Sequence, residues 1–164
     1  MACMVRKYVL LFIFSFSFVF ISRAQEVPVF FHQDTLRGSI TPEREWWDLT
    51  YYHLSIDVNL NDSTFMGSNL IQYQVLQPAQ SMQIELQEPL HIDRVSQEGK
   101  PLIFKKEGYS YFIELEKPQK PGASEQVLVE YSGKPAKSIN PPWEGGVTWA
   151  KDQNGNPFVA TSCQ

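Results

Sequence analysis

The chain has 164 residues, of which 43% are apolar, 20% are charged and 13% are aromatic, and its formal net charge is −4. This length suits one globular domain, and the high aromatic content favours a β-rich core. Lys105-Lys106 is the largest basic cluster after the N-terminus, which argues against nucleic-acid binding, because phosphate recognition needs clustered Lys and Arg. We therefore expect no nucleic-acid partner.

Residues 1–24 have the organisation of a secretory signal peptide. Arg6 and Lys7 precede an apolar run over residues 8–21, and Ser22-Arg23-Ala24 supplies a small-x-Ala cleavage site. The alternative is a membrane anchor, which needs about 20 apolar residues, whereas this run is shorter. We therefore predict a signal peptide, export to the periplasm or the extracellular space, and no stable membrane insertion after cleavage.

Cleavage would remove Cys3 and leave Cys163 as the single cysteine. One cysteine in an exported protein forms no internal disulfide, so it is either a buried small side chain or a partner for another molecule. We favour burial. A role as a thiol nucleophile is disfavoured, because nothing in the sequence places a base beside it.

Residues 25–45 contain prolines, a glycine and mixed polar residues, and they show no sustained apolar period. This composition predicts a leader that runs along the surface or is partly disordered. A single β domain over residues 46–164 is expected to follow. Its first strand is predicted to be half-buried, because apolar residues alternate strictly with polar ones. These apolar residues are Tyr52, Leu54, Ile56, Val58 and Leu60.

Asn61-Asp62-Ser63 predicts a turn into a second strand over residues 65–75, so the two strands form a hairpin. Gly67 in the middle of that strand indicates a bulge or a close backbone approach. Shorter alternating segments follow, and none has a 3.6-residue apolar period of helix length. They cover residues 82–86, 90–95, 102–105, 109–115 and 127–131.

This succession of short strands predicts an all-β fold, a sandwich-like stack of mostly antiparallel sheets. Residues 134–146 form a loop rich in Pro and Gly. Two further strands, residues 147–150 and 158–162, flank Asn154-Gly155, which is a strong hairpin-turn signal.

Few residues in the sequence suggest a catalytic or metal-binding role. His91 and Asp93 share a strand face, but zinc takes three or four ligands, so we interpret them as surface residues. The sequence has no His-Glu-x-x-His, Gly-x-Ser-x-Gly, Cys-x-x-Cys or phosphate-binding glycine loop. We predict no catalytic residue and no metal ligand in this chain.

Trp143, Trp149 and Phe158 suggest two roles. They are either a stacking platform for a sugar or a peptide side chain, or fasteners that hold the loop and hairpin on the sheet. We favour packing, because large aromatic side chains usually bury most of their surface.

Several segments from about Tyr51 onward resemble zinc aminopeptidases of the aminopeptidase N and leukotriene hydrolase family. The order and spacing of the segments carry this resemblance, and the closing stretch is its most specific part. The segments are Tyr52-His53-Leu54-Ser55-Ile56-Asp57, Phe65-x-Gly67, Ile84-x-Leu86, Leu90-His91-Ile92, Val127-Leu128-Val129-Glu130-Tyr131-Ser132-Gly133, Gly145-Gly146-Val147-x-Trp149 and Thr161-Ser162-Cys163-Gln164.

The resemblance implies a saddle-shaped N-terminal β domain, followed in that family by a helical domain that holds zinc and the Gly-x-Met-Glu-Asn substrate motif. Neither motif occurs here, so the chain resembles a fragment, incomplete at the end of its own β domain and inactive by itself. The resemblance also implies one substrate-binding position, Gln164, which would contact the N-terminal end of a peptide. Zinc would belong to the longer parent.

Two functional hypotheses remain at this point. The first is the N-terminal domain of an exported zinc aminopeptidase, forming one wall of its substrate cleft. The second is a stand-alone secreted β-sandwich module that binds glycans or proteins. Fold alone does not separate them.

Overall fold

The computed structural model describes residues 29–141, 143 and 145–162. Residues from Phe31 onward form one compact unit, and Val29 and Phe30 are the described part of the unit before it.

The predicted signal peptide, residues 1–24, lies outside the described residues, and so do Cys163 and Gln164. In the part that is described, no helix is long and apolar enough to cross a membrane. Export and the domain boundaries therefore stay predictions.

Two short helices precede nine strands in the described part of the chain. The helices are α1 (His32–Gly38) and α2 (Pro42–Glu45). The strands are β1 (Trp47–Asn59), β2 (Thr64–Val75), β3 (Ser81–Glu85), β4 (His91–Gln97), β5 (Lys100–Glu107), β6 (Ser110–Glu114), β7 (Ser124–Gly133), β8 (Gly146–Lys151) and β9 (Pro157–Ser162). The predicted all-β class is confirmed.

Seven strands form one antiparallel sheet in the order β1-β2-β7-β4-β5-β6-β3, and β8 pairs with β9 in a separate hairpin. The strand β5 changes partner along its length. Its residues 100–102 pair with β4, whereas its residues 103–107 pair with β6. The sheet therefore curls at β5, and its two halves pack on one core as the layers of a sandwich do.

The core lies between these two halves of the sheet. Each of its central side chains is at most 6% exposed, and they come from β2, β4 and β7 on one side and from β3 and β6 on the other. Trp46, just before β1, closes one end. Its ring meets the Tyr73 ring edge-on with centroids 5.7 Å apart, and its indole N–H donates to the Ser81 carbonyl at 2.8 Å.

The helices α1 and α2 lie in the predicted leader, where no helix was expected. The helix α1 has seven residues and α2 has four, and Leu36 is the only buried residue in the two. Neither segment therefore has the apolar period that indicates a helix in a sequence. Local chemistry nevertheless favours both. The Asp34 carboxylate accepts a hydrogen bond from the Phe31 backbone N–H at 2.8 Å, and Pro42 occupies the first turn of α2.

A buried hydrogen-bond network fastens this leader to the sheet. The Thr41 hydroxyl donates to Gln83 Oε1 at 2.7 Å. Gln83 Nε2 in turn donates to the Leu36 carbonyl at 3.0 Å and to Ser110 Oγ at 3.3 Å. Because Gln83 is 1% exposed, water does not replace these partners, and the bonds tie the leader to β3 and β6.

Gln83→Ala is expected to lower the free energy of unfolding by about 2–3 kcal/mol, because it leaves the buried Thr41 hydroxyl and the Leu36 carbonyl without partners. Urea unfolding followed by circular dichroism measures this change. Gln74→Ala is the matched control, since Gln74 also lies in a strand but is exposed. Equal changes in the two variants would contradict the network.

The expectation that β1 is half-buried is wrong. Every residue of β1 after Trp47 is exposed, on both faces of the strand. Tyr52, Leu54, Ile56 and Val58 retain 49%, 56%, 48% and 39% exposure. The reason is topological: β1 is an edge strand, paired with β2 alone among the described strands, and the opposite half of the sheet does not cover it.

Candidate functional site

The stretch singled out from the sequence forms the β8–β9 hairpin and the loop before it. Asn154-Gly155 lies in the connecting turn, as predicted, with register from Gly146↔Ser162 to Lys151↔Pro157. Val147 is 5% exposed and fastens the hairpin to the preceding loop. Its N–H donates to the Ala136 carbonyl at 2.8 Å, and its carbonyl accepts from the Ser138 N–H at 3.1 Å.

The geometry at Gly146 explains why β8 begins with a glycine. Its φ is +132°, and a Cβ built on it would lie 2.7 Å from the Ser138 nitrogen and 2.9 Å from the Ala136 oxygen. A side chain would push the loop away from the hairpin, so only glycine lets the two backbones run this close.

The three aromatic side chains of this region have different environments. Trp149 packs on Phe65 of β2 with ring centroids 5.6 Å apart, so it does fasten the hairpin to the sheet. Trp143 is 79% exposed and Phe158 is 52% exposed. The expectation that all three are packing residues is therefore wrong for Trp143 and Phe158, which lie in the loop before β8 and near the start of β9.

The turn between β8 and β9 is organised by Asp152. Its Oδ1 accepts hydrogen bonds from the backbone N–H groups of Asn154 and Asn156, each at 2.8 Å. Its Oδ2 accepts from Asn156 Nδ2 at 3.0 Å. The side-chain and backbone donors of Asn156 lower the pKa of the Asp152 carboxyl, because they favour the charged form.

Acid is therefore expected to loosen this turn only below the usual titration range of an aspartate. Because the folded-state pKa is lowered, the carboxylate orders the turn above the unfolded pKa and stops doing so as pH falls through the folded one. The amide chemical shifts of Asn154 and Asn156 in an acid titration measure this. Asp152→Asn should abolish the transition, and a midpoint at or above the free-aspartate value would contradict it.

His91 and Asp93 form an exposed pair, with Nε2 3.1 Å from Oδ1. Ser132 Oγ lies 3.4 Å from the same Nε2. A serine–histidine–aspartate relay needs the two partners on different ring nitrogens, so this cluster is not one. The described residues contain no group of three His, Cys, Asp or Glu side chains placed to hold a metal ion.

A cavity of about 1100 Å³ opens between the leader and the inner face of the sheet. Apolar side chains of β1, β2, β4 and β7 form most of its floor, and none of its described lining residues is His, Cys or Asp. Burial raises the pKa of the Tyr52 hydroxyl there, and the charge of Arg44 opposes that shift. Asn69 Oδ1 is buried without a hydrogen-bond partner among the described residues.

The guanidinium group of Arg44, at the mouth of this cavity, is already bound to other groups of the chain. Its Nη1 lies 3.3 Å from the carbonyl oxygens of Leu36, Arg37 and Ser39, and 3.5 Å from Glu85 Oε1. The guanidinium therefore holds the connection between α1 and α2. The cavity is a recess with a mixed lining, in which Glu45, Asn69 and Gln83 lie among the apolar side chains.

Solved structures of an M1 zinc metallopeptidase and of an LTA4 hydrolase resemble this fold. A mutant M1 zinc metallopeptidase from Deinococcus radiodurans, bound to a Tyr-Ser-Ala substrate, matches with a TM-score of 0.53 and 14% identity. The match covers 68% of this chain and 27% of that chain. Yeast LTA4 hydrolase in complex with Bestatin matches with a TM-score of 0.54 and 15% identity, over 70% of this chain and 18% of that chain.

This chain shares its fold with part of the M1 zinc metallopeptidases. The resemblance inferred from the sequence segments is therefore confirmed at the level of the fold. No family model and no curated protein matches the sequence. The chain spans 27% and 18% of the two proteins it resembles, so their activities belong to much longer polypeptides.

Proposed function

We propose that this chain is the N-terminal β domain of an exported zinc aminopeptidase, in which it forms one wall of the cleft that holds the free N-terminus of a peptide. The observation that carries the proposal is the fold match to M1 zinc metallopeptidases over about 70% of the chain. The closing segment supports it. Gly145-Gly146-Val147-x-Trp149 builds the β8 strand, and Gln164 follows two residues after β9.

In this proposal the zinc ligands belong to the rest of the longer enzyme. A zinc site takes three or four His, Cys, Asp or Glu ligands, whereas the described residues offer such side chains in pairs, His91 with Asp93 and His32 with Glu107, and in no group of three. The described residues therefore do not fit a zinc site, and no catalytic step is assigned to them.

Gln164 is the one residue proposed to touch the substrate. A side-chain amide oxygen accepts hydrogen bonds from a peptide ammonium group and adds no charge of its own. A bond to a charged donor is also stronger than a bond between neutral groups. Gln164 follows the β8–β9 hairpin in the sequence, and the proposal assigns it to the edge of the cleft.

The coding sequence that follows Gln164 tests this proposal first. Gly-x-Met-Glu-Asn and His-Glu-x-x-His in the same reading frame would support it, and a stop codon would overturn it for this chain. The second test uses an aminoacyl chromogenic substrate with zinc. We expect no turnover by the 164-residue chain and chelator-sensitive turnover by the longer protein; chelator-sensitive turnover by the short chain would contradict the fragment interpretation.

The exposure of Trp143 and Phe158 favours a second candidate, a secreted module that binds glycans or proteins. Exposed aromatic faces stack on apolar faces of ligands. Tryptophan fluorescence titrated with oligosaccharides, with Trp143→Ala as the control, distinguishes this candidate. A saturable signal that is lost in the variant would favour the binding module over the peptidase domain.

A further inference from the structure

The turn between β8 and β9 contains a residue pair whose chemistry the proposed function does not use. Asn154 is the one asparagine of the sequence that is followed by glycine. Asparagine is among the thermolabile residues, because the backbone nitrogen of the next residue can attack its side-chain amide. Glycine favours this attack, since it has no Cβ to crowd that nitrogen. Asn140 and Asn156 precede prolines, which have no backbone N–H.

The structure leaves this Asn-Gly pair uncovered. Asn154 and Gly155 are both exposed, and a Cβ added to Gly155 would have no atom within 4 Å. Within the described residues, the side-chain amide of Asn154 makes no hydrogen bond, whereas Nδ2 of Asn156 donates to Asp152 Oδ2 at 3.0 Å. No hydrogen bond of that kind therefore fixes the side chain that carries the electrophilic carbon, Asn154 Cγ.

The same turn holds the attacking nitrogen in place. The Gly155 N–H donates to the Asp152 carbonyl at 3.1 Å, so in the closed turn this nitrogen is directed at Asp152. The N–H groups of Asn154 and Asn156 both donate to Asp152 Oδ1, each at 2.8 Å. Ring closure at Asn154 requires the Gly155 nitrogen to leave its carbonyl partner, and it therefore requires the turn to open locally.

We propose that Asn154 is a deamidation site whose rate is set by how often the turn held by Asp152 opens. The reaction needs only this chain and water, so it does not depend on the proposed function. In the open turn, the Gly155 nitrogen gives up its proton to hydroxide and forms a bond to Asn154 Cγ. The bond from Cγ to Nδ2 then breaks, and Nδ2 takes a proton from water and leaves as ammonia. The product is a succinimide ring.

Water opens the succinimide in two ways. Cleavage between the Gly155 nitrogen and Cγ gives aspartate at position 154. Cleavage between this nitrogen and the backbone carbonyl carbon gives isoaspartate, in which the chain runs through Cβ and Cγ. The net reaction consumes a water and releases an ammonia, with no oxidant or reductant. Isoaspartate lengthens the chain inside the turn, so the N–H groups at positions 154 and 156 lose the spacing that Asp152 Oδ1 binds.

Peptide mapping of the 164-residue chain, stored at mildly alkaline pH, tests the site. Trypsin cleaves after Lys151 and so isolates the segment that contains Asn154. We expect this segment to show the mass increase of an amide that becomes an acid, and to contain isoaspartate that enzymatic isoaspartate methylation detects. Asn61 is the internal control, since it is also exposed in a turn but is followed by Asp62, and it is expected to stay intact.

The same measurement in guanidinium chloride tests the control by the turn. Conversion is expected to be at least about tenfold faster in the unfolded chain, because the Gly155 nitrogen is then always free of its carbonyl partner. An Asn154 that stays unconverted in the folded chain would overturn the site. Equal rates with and without guanidinium chloride would overturn the control by the turn.

Three variants separate the hydrogen bonds of Asp152 from its charge. Asp152→Ala removes the carboxylate that binds two N–H groups, and it is expected to speed conversion by about tenfold or more, because each lost bond makes opening easier. Gln153→Ala alters an exposed neighbour and is expected to stay within about twofold of the unsubstituted chain. Asp152→Asn keeps an acceptor oxygen without the charge, and its rate is expected to lie between the other two.

Two outcomes of this series would overturn the proposal. Equal rates in Asp152→Ala and Gln153→Ala would show that Asp152 does not control the turn, and equal rates in Asp152→Ala and Asp152→Asn would assign the effect to charge. Hydrogen exchange of the Gly155 amide, followed by NMR, is an independent readout of the same opening. Asp152→Ala is expected to speed exchange and conversion by factors that agree within about threefold, since both need this nitrogen to be released. Faster conversion with unchanged exchange would also overturn it.

Discussion

Replacing Gln164 by alanine in the longer enzyme is expected to lower kcat/KM for small aminoacyl substrates by about 10- to 100-fold. A hydrogen bond to a charged ammonium group contributes about 1.5–3 kcal/mol, and its loss lowers affinity by that factor. The bond exists in the substrate complex as well as in the transition state, so the change is expected mainly in KM. Steady-state kinetics over a range of substrate concentrations measure both constants.

Two control variants sharpen this test. Gln164→Glu retains an acceptor for the ammonium group and is expected to keep most of the affinity. Gln153→Ala alters an exposed glutamine in the β8–β9 turn and is expected to change neither constant. An unchanged kcat/KM in Gln164→Ala would remove this residue from the substrate site.

Gly67→Ala is expected to lower the free energy of unfolding of the 164-residue chain by about 2–3 kcal/mol. A Cβ on Gly67 would lie 2.1 Å from the Ser55 carbonyl oxygen and 2.9 Å from the Tyr131 hydroxyl. The backbone of β1 would have to move, and the hydrogen bond from the Tyr131 hydroxyl to the Ser55 carbonyl, 3.4 Å long, would be lost. Urea unfolding measures the change.

Gly38→Ala is the control for this substitution. Gly38 has no atom within 4 Å of an added Cβ and lies at the end of α1. The change in the free energy of unfolding there is expected to stay within about 1 kcal/mol, because only chain entropy and helix propensity are altered. A comparable loss in both variants would show that close packing at Gly67 is not the cause.

Local signals predicted the hairpins of this protein well. Asn61-Asp62-Ser63 and Asn154-Gly155 both lie in the predicted turns, where Ser63 and Gly155 have positive φ. Gly67 was predicted to mark a bulge or a close approach, and it marks the approach, because its register with β1 is regular. Turns and special glycine conformations depend on residues that are close together in the sequence, so local residue types are enough to predict them.

Burial was harder to predict than strand formation. The alternation in β1 is real, but a period of two says only that the two faces differ and not which neighbour covers the apolar one. The fastening of the leader was not predicted for a related reason. Its fastening depends on Gln83, which is 47 positions from Leu36 in the chain and donates to its carbonyl only in the folded state. Gln83 also donates to Ser110, a further 27 positions along.

By itself, the sequence determined the all-β class, the turns and the resemblance to zinc aminopeptidases, because each of these depends on short patterns of residue type. The tertiary structure decided which strand lies at an edge, that Gln83 ties the leader to the sheet by buried hydrogen bonds, and that Trp149 packs on Phe65 while Trp143 stays exposed. Those properties depend on contacts between distant segments, and strand order is set by how the whole chain buries its apolar faces.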